Sequence, residues 1–587
     1  MILSSLDWII IALFFAITLS IGVFAMRKAG SSTKEFFLSG QSMPWWLLGV
    51  SMVATTFSAD TPNLVTDIIR KNGIAGNWAW WAFLLTGMLT VFVYAKLWRR
   101  SGILTDLEFY ELRYSGKAAS FLRAFRAIYL GVFFNIMIMA SVMLAGIKIG
   151  GIMLGLSPVQ TVLLVGVVTV IYSSIGGLRG VILTDFFQFG LSMIGMIAAA
   201  IYIVNLPEIG SLDALFTHPN VRDKLDLIPD LTNWDLAVPL FFVPIAVQWW
   251  SAWYPGAEPG GGGYIAQRML SAKDEKESVL STLFFNVAHY ALRPWPWILI
   301  ALGSLILFPD LQSIRDSFPN IDQGIVEDDL AFPAMLTLLP QGLIGLLIAS
   351  LLAALMSTIS THLNWGSSYV VNDFYQRFID KDASEKTLVS VGRISTVGLM
   401  VFASIFALFL TNAFQVFNIL LQIGAGTGLL FILRWFWWRI NAFSEIVAMA
   451  ASFFVAIYFQ LVYTGDMLDY EKLITGVVIT SVCWIAATFF LPSTNTKVLK
   501  SFYKKIRPYK FGWKKIINDI PSSELSTDIP ESKFSKDILM MFLGCGLVYA
   551  FLFGIGYLLY GKSMAMMLSI GVSMLFSFLL YKVWKSY

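Results

Sequence analysis

Apolar stretches near the roughly 20 residues that a helix needs to cross a bilayer recur along almost the whole chain, and about fifteen can be delimited. They fall near 7–26, 44–70, 77–98, 120–150, 159–175, 181–205, 236–254, 279–307, 340–372, 391–411, 414–438, 443–464, 470–491, 537–560 and 563–584. In hydrocarbon every backbone polar group must be satisfied internally, which predicts helices and excludes open sheets. Composition agrees: of 587 residues, 57% are hydrophobic and 13% charged, with a mean hydropathy of +0.72. An all-α polytopic membrane protein is expected. Cys483 and Cys545 lie inside apolar runs, and His218, His289 and His362 are scattered. No HExxH, CxxC or phosphate-loop pattern occurs, so neither a metalloenzyme nor a nucleotide-driven machine is indicated. The net charge of +4 carries no sign of a nucleic-acid partner.

The first stretch lacks a basic leader and is followed by Arg27 and Lys28, which predicts an uncleaved helix with its N-terminus outside. Alternation from that start places roughly 32 of the 41 Lys and Arg residues on the cytoplasmic side, the bias expected of a membrane protein. The plasma membrane is the expected location and the C-terminus is expected inside. The basic run 497–515 should then rest at an anionic inner leaflet.

Two stretches are interrupted. The second carries "TTFSADTPNLVTD" (55–67) and the seventh "FFVPIAVQWWSAWYPGAEPGGGGY" (241–264). Proline removes a helix hydrogen bond and frees a carbonyl, which is tolerated in a membrane where protein, water or an ion satisfies it. The two stretches are five apart, and five is odd, so a five-helix repeat beginning at each would run in opposite directions. Inverted-repeat transporters are built this way and bind near the midplane on broken helices. The alternative is that the prolines only kink two packing helices.

The ninth stretch contains "LLAALMSTISTHLN" (351–364). On a helix, Ala354, Ser357 and Thr358 share a face, and so do Ser357, Ser360 and Thr361. Hydroxyls with free carbonyls suit a small hard cation such as Na⁺. They also serve close helix packing, with each hydroxyl bonded back to its own helix. Asp185, in "GGLRGVILTDFFQ" (176–188), follows a reversal at Gly176–Gly177 and lies about a turn inside the sixth stretch. An intramembrane carboxylate marks an ion or proton pathway by default, or pairs structurally, here with Arg179.

"GGLRGVILTDFFQ", "YIAQRMLSAKDEKES" and "AALMSTISTHLN" followed by "VVNDFYQRF" together resemble the sodium:solute symporter family, which includes the sodium/glucose and sodium/proline cotransporters. The resemblance covers roughly residues 7–490. It implies a leucine-transporter-like 5+5 inverted repeat with one extra N-terminal helix and additional C-terminal helices. The corresponding divisions are an extra helix and inner loop (1–43), a first repeat (44–205), an extracellular loop (206–235) and a second repeat (236–440). Two additional helices (441–491), a basic cytoplasmic loop (492–536) and a terminal hairpin (537–587) follow. Residue by residue, the resemblance implies a main Na⁺ site from the carbonyls of Ala54, Phe57 and Ala354 and the hydroxyls of Ser357 and Thr358. A second Na⁺ would use Asp185, Ser357, Ser360 and Thr361, so one coupling ion or two are expected.

The solute site of the family lies beside the broken helices. Its candidate liners here are Thr56, Ser58, Asp60 and Thr61 on the second stretch and Trp80 and Trp81 on the third. Gln248, Trp249, Trp250 and Trp253 on the seventh, His289 and Arg293 on the eighth and Gln422 on the eleventh join them. Aromatic faces beside amides and carboxylates suit sugars and polyols, although tryptophans also form interfacial belts. Arg293 either holds an anionic solute's carboxylate or bridges to Asp60 or Glu258. The glycine-rich "PGGGGY" lacks a Gly-Lys-Ser/Thr ending, so it reads as a hinge or inner-mouth loop. The expected function is sodium-coupled import of a small polar solute, a sugar or polyol, by alternating access. A transporter of an amino acid or carboxylate, or a transporter-like solute sensor, is the alternative. A membrane transferase would show a clustered acid or histidine site at one face, and a proton-pumping subunit would show mid-span lysines and glutamates. Neither pattern is present, and no enzyme is expected.

Overall fold

The computed structural model describes residues 3–251, 258–319, 326–410, 424, 426–525 and 532–585, and these contain helices and no β-strand. In chain order the bundle comprises α1 (Ser5–Ala29), α2 (Trp45–Thr55), α3 (Thr61–Asn72), α4 (Ile74–Ser101), α5 (Gly116–Ile149) and α6 (Pro158–Val204). Then come α7 (Trp234–Ala246), α8 (Gly263–Ser271), α9 (Glu275–Leu307), α10 (Leu343–Ile379) and α11 (Glu385–Phe409). The chain ends with α12 (Ala442–Val462), α13 (Asp469–Phe490), α14 (Thr496–Ile506), α15 (Phe534–Leu559) and α16 (Ser563–Lys585).

Eleven of these, among the described residues, are long and apolar enough to cross a membrane. The difference from the expected number has identifiable sources. Stretches 159–175 and 181–205 are continuous in α6, whereas 44–70 and 236–254 are divided into shorter helices. Much of 414–438 lies outside the described residues.

The 47-residue α6 is a hairpin of two helices joined at Gly177, whose φ of +53° is readily adopted only by glycine. A Cβ there would meet the Phe36 carbonyl oxygen at 2.7 Å. Before the turn, Tyr172 donates its hydroxyl to the Met356 carbonyl of α10 at 3.0 Å. Beyond it, Asp185 lies against Ser357 and Ser192 against Ser350, so the second half runs back along the same helix. This is the reversal expected from the paired glycines.

Both interruptions are present. α2 ends where the amides of Thr56 and Phe57 turn back to the carbonyls of Met52 and Ala54 (3.3 and 3.0 Å). α3 restarts with Pro62 in its first turn, where the missing N–H has no intrahelical partner to lose. α7 contains Pro239 and Pro244, stops at Ala246, and the chain resumes as α8. The start of α10 is fastened to α1 by Asp7, whose carboxylate accepts the amides of Gly342 and Gly345 (2.7 and 2.9 Å), as helix N-termini favour.

The expected basic loop is more ordered than its composition suggests. α14 turns Leu499, Phe502, Tyr503 and Ile506 into the bundle and leaves Lys505 outside. Beyond it, buried Trp513 donates its indole N–H to the Trp435 carbonyl at 2.9 Å, and the Arg113 guanidinium covers its ring at 4.7 Å. α15 packs along α4, with the Tyr549 hydroxyl bonded to the Trp81 carbonyl at 2.8 Å.

Candidate ion and solute sites

The gap between α2 and α3 faces α10. Thr358 donates its hydroxyl toward the Thr55 carbonyl (2.8 Å) and the carbonyl of its own Ala354 (3.1 Å). The Ala54 carbonyl, at the C-terminal end of α2, accepts the tight turn from Phe57 N–H at 3.0 Å. Ala54, Phe57, Ala354, Ser357 and Thr358 are all buried. A helix end whose carbonyls are answered by one hydroxyl proton can present those oxygens to a cation once that hydroxyl rotates, without burying a carboxylate. Ser357 points elsewhere, donating to Asp185 Oδ1 at 2.7 Å.

Around Asp185 the structure brings in two residues that sequence reasoning did not single out. Ser51 of α2 donates to Asp185 Oδ2 at 2.5 Å, and Arg268 of α8 lies 3.7 Å from the same oxygen. Both side chains of the ion pair are fully buried. The basic partner is thus Arg268 and not Arg179. Arg268 also donates to Thr361 at 2.7 Å and to Ser51 at 3.2 Å, and Thr361 contacts the Thr55 hydroxyl at 2.9 Å. Ser360 bonds back to the Ser357 carbonyl at 3.0 Å. The groups expected to hold a second sodium ion therefore surround a guanidinium, which supplies the positive charge that Asp185 requires in a low-dielectric interior. Arg268 is visible as a lone charge within "YIAQRMLSA", but not its partner 83 residues earlier in the chain, a distance that no local pattern spans.

Midway along α4 and α9 lies a cavity of about 60 Å³, walled by Phe83, Thr86, Tyr264, Asn286, His289 and Tyr290 among others. Of the expected solute residues, His289 lines it. Trp80 stacks on Tyr290 (5.8 Å between centroids, 21°) and sets its edge against His289. Thr56 meets the cavity through His289, its hydroxyl 2.9 Å from Nδ1. Arginine only donates, so the contact of Arg293 Nη2 with His289 Nε2 at 3.0 Å makes Nε2 the acceptor and leaves the hydrogen on Nδ1. Arg293 also donates to the Thr56 carbonyl, and no carboxylate among the described residues lies within ion-pair distance of it. The expected bridge to Asp60 or Glu258 is not formed: Glu258 is paired with Arg126.

Among the described residues, the remaining expected liners lie off the cavity wall. Trp81 is packed against Trp78, Gln248 donates to the Ala79 carbonyl at 2.7 Å, and Trp249 packs edge-on against Trp250. Asp60 is exposed at the start of α3, beside Ser58 and Thr61. Trp253 and Gln422 fall outside the described residues. Thr86 and Asn286, by contrast, are cavity residues that sequence reasoning missed. Each is a single polar residue in an apolar run ("LLTGML", "LFFNVA"), the same signal that marks Asp185.

Below this region, the loop between α4 and α5 carries charge of its own. Burial holds the Asp106 carboxyl above its ordinary range, against the Tyr369 hydroxyl (2.5 Å) and the Gly263 amide (2.8 Å) bonded to it. Burial works the same way on Glu111, but hydrogen bonds from Arg377, Ser120 and Arg123 outweigh it and bring that carboxyl down to about 2.

Two interrupted spans, packed against a hydroxyl-bearing helix around a polar centre, define a secondary transporter of leucine-transporter-like fold. The profile of the sodium:solute symporter family matches residues 36–452, and the chain belongs to that family. It is a sodium-coupled, multi-pass membrane transporter and not an enzyme. It is similar to the sodium/glucose cotransporter of Vibrio parahaemolyticus, 26% identical over 499 residues, covering 81% of this chain and 90% of that one. A sodium/myo-inositol cotransporter of Bos taurus is 28% identical over 448 residues, covering 69% and 58%. Among solved structures, a Na⁺-coupled sialic acid symporter in its substrate-bound outward-open state superposes with a TM-score of 0.65 at 21% identity, covering 84% of this chain and 99% of that one. That likeness establishes the fold.

Proposed function

We propose that this chain imports a neutral polyhydroxylated solute, a sugar or polyol, by coupling it to inward sodium flow across the plasma membrane. The carrying observation is the charge balance of the cavity wall. Among its described residues Glu258 is the one acid, already paired with Arg126, and His289 accepts from Arg293 at Nε2 as a neutral imidazole does. A zwitterionic or anionic solute would need an opposite charge presented at the wall; the nearest guanidinium outside that pair, Arg293, lies behind His289 and is engaged by His289 Nε2 and the Thr56 carbonyl. A sugar needs what is there, aromatic faces beside hydroxyl and amide groups. The named substrates of the relatives, glucose and myo-inositol, are of this class.

In this reading the main Na⁺ binds Ala54, Phe57, Ala354, Ser357 and Thr358. A second Na⁺ at Asp185, Ser357, Ser360 and Thr361 binds only if Arg268 yields. The N-terminus is outside, and the Lys- and Arg-rich face is cytoplasmic. The cavity, well short of the ~300 Å³ or more of a typical ligand pocket, corresponds to a contracted stage of alternating access.

The test is uptake from a mixed pool of sugars, polyols, amino acids and carboxylates into proteoliposomes, read by mass spectrometry with and without an inward sodium gradient. A sugar or polyol should accumulate only with the gradient. Gradient-driven accumulation of an amino acid or carboxylate overturns the solute class. Accumulation of nothing favours the solute-sensor alternative.

A further inference from the structure

The glycine-rich segment 258–263 lies between the cavity and the loop that joins α4 to α5. It is fastened at three points to elements of the first half of the chain. Glu258 pairs with Arg126 near the start of α5, the Gly260 carbonyl accepts the Trp98 indole N–H at 2.8 Å, and the Gly263 amide donates to Asp106 at 2.8 Å. At Gly260 and Gly261 the backbone takes a conformation that favours glycine and runs close against its neighbours. Gly260 and Gly261 have φ of +88° and +85°, and a Cβ on Gly261 would strike the Met269 methyl at 2.5 Å. The glycines thus have a packing purpose, which is to let a strip of backbone seal one side of the cavity.

Glu258 is the member of this strip that faces both ways. It forms part of the cavity wall, and its carboxylate is buried with Arg126. Arg126 in turn lies against the rings of Tyr110 and Phe431, at 5.4 and 5.1 Å. A buried ion pair resists separation because each charge must find a new partner as it leaves the other. Solute hydroxyls could satisfy the carboxylate from the cavity side while water entering from the opposite side solvates the guanidinium.

We propose that Glu258 contacts the transported solute and that its pair with Arg126 bolts the cavity on the side of the α4–α5 loop, Arg126 acting as a positioning residue. The inference rests on reading the cavity as the solute site. It identifies how occupancy of that site is communicated to one of its doors: solute lowers the cost of parting the pair.

A reporter thiol, Thr86→Cys in a chain with Cys483→Ser and Cys545→Ala, tests the bolt without knowledge of the solute. A membrane-impermeant maleimide is applied to the Lys- and Arg-rich face of oriented vesicles. Arg126→Gln should speed labelling about tenfold or more by shifting the population toward the open door. Arg126→Lys, which keeps the charge, should leave labelling slow, and Arg126→Glu combined with Glu258→Arg should return it to within about twofold of the parent. Unchanged labelling in Arg126→Gln, or a charge swap that restores nothing while the protein remains monodisperse, overturns the proposal. Once a solute is known, Glu258→Gln should raise its KM about tenfold with the maximal rate within about threefold, since a charge-assisted hydrogen bond is lost; an unchanged KM removes Glu258 from the solute contacts. If uptake identifies no sodium-driven solute, the labelling result still reports on the door, and it is the assignment of the cavity that fails.

Discussion

The proposed ion region and the proposed solute cavity meet at consecutive residues of one broken helix, and they are finished in opposite ways. The Thr55 carbonyl accepts from Thr358 on the ion side, while the Thr56 hydroxyl oxygen accepts from His289 Nδ1–H on the cavity side. Around Asp185, the oxygens and nitrogens of Ser51, Ser357, Thr361 and Arg268 answer one another in a closed network. In the cavity wall the Thr86 hydroxyl and the Asn286 carbonyl oxygen are buried without a hydrogen-bond partner among the described residues. A closed network resists change and holds helices in register, whereas orphaned groups carry a cost that a hydroxylated ligand would relieve. The first region is therefore built for order and the second for occupancy.

The largest expected effect comes from opening the closed network. Asp185→Asn leaves Arg268 buried without its counter-charge, at a cost of about 3–5 kcal/mol, seen as a large fall in the apparent melting temperature of the detergent-solubilised protein. Adding Arg268→Met should recover most of it. An Asp185→Asn protein as stable as the parent would mean that the pair is not what orders this region.

Next in size, Thr358→Ala should raise the half-saturating sodium concentration about tenfold, or about 1.4 kcal/mol, with solute KM at saturating sodium little changed. Unchanged sodium dependence would remove Thr358 from the ion site. Asn286→Ala provides the converse and somewhat smaller effect: solute KM raised about fivefold, roughly the worth of one hydrogen bond, with sodium dependence within about twofold. If sodium dependence moved as much as KM, the two regions would be one functional unit and the contrast drawn above would dissolve.

The smallest effect lies outside both regions. Glu111 has its carboxyl depressed to about 2 by Arg377, Ser120 and Arg123 acting against burial. Its contribution to stability is therefore complete above the ordinary glutamate range and is lost as pH falls from about 4.5 toward 2. Glu111→Gln should flatten the loss of melting temperature across that interval, and an identical acid profile would count against the assignment.

What could be read from the sequence followed the range of the interaction. The interruptions at 55–67 and 241–264 and the reversal at Gly177 are local events, and prolines, glycines and stranded polar residues announce them. Thr358 and Asp185 were legible for the same reason, each being a polar group in an apolar run. The partners were not: Arg268 for Asp185, Arg126 for Glu258 and Thr56 for Arg293 are joined across 83, 132 and 237 residues. The cavity was the least legible feature, because it takes one or two ordinary residues from each of several helices. Trp81 packs against Trp78 and off the cavity wall, and the sequence does not separate it from Trp80, since a large ring fills space equally well in either role. The basic run was read as surface because its lysines dominate the composition, yet Phe502, Ile506 and Trp513 decide where it lies.

The contact between Lys96 and Asp537 has a consequence in time. The Lys96 ammonium near the C-terminal end of α4 is buried and bonded to Asp537 at the start of α15, 2.6 Å away and 441 residues later in the chain. During synthesis, at ~5–20 residues per second, α4 emerges at least about twenty seconds before that carboxylate exists. Until then the nascent bundle lacks the carboxylate that meets this ammonium in the folded chain, so the α15–α16 hairpin is part of the core and not an ornament added to a finished one. A chain that stopped after α13 would lack the Asp537 half of this buried pair.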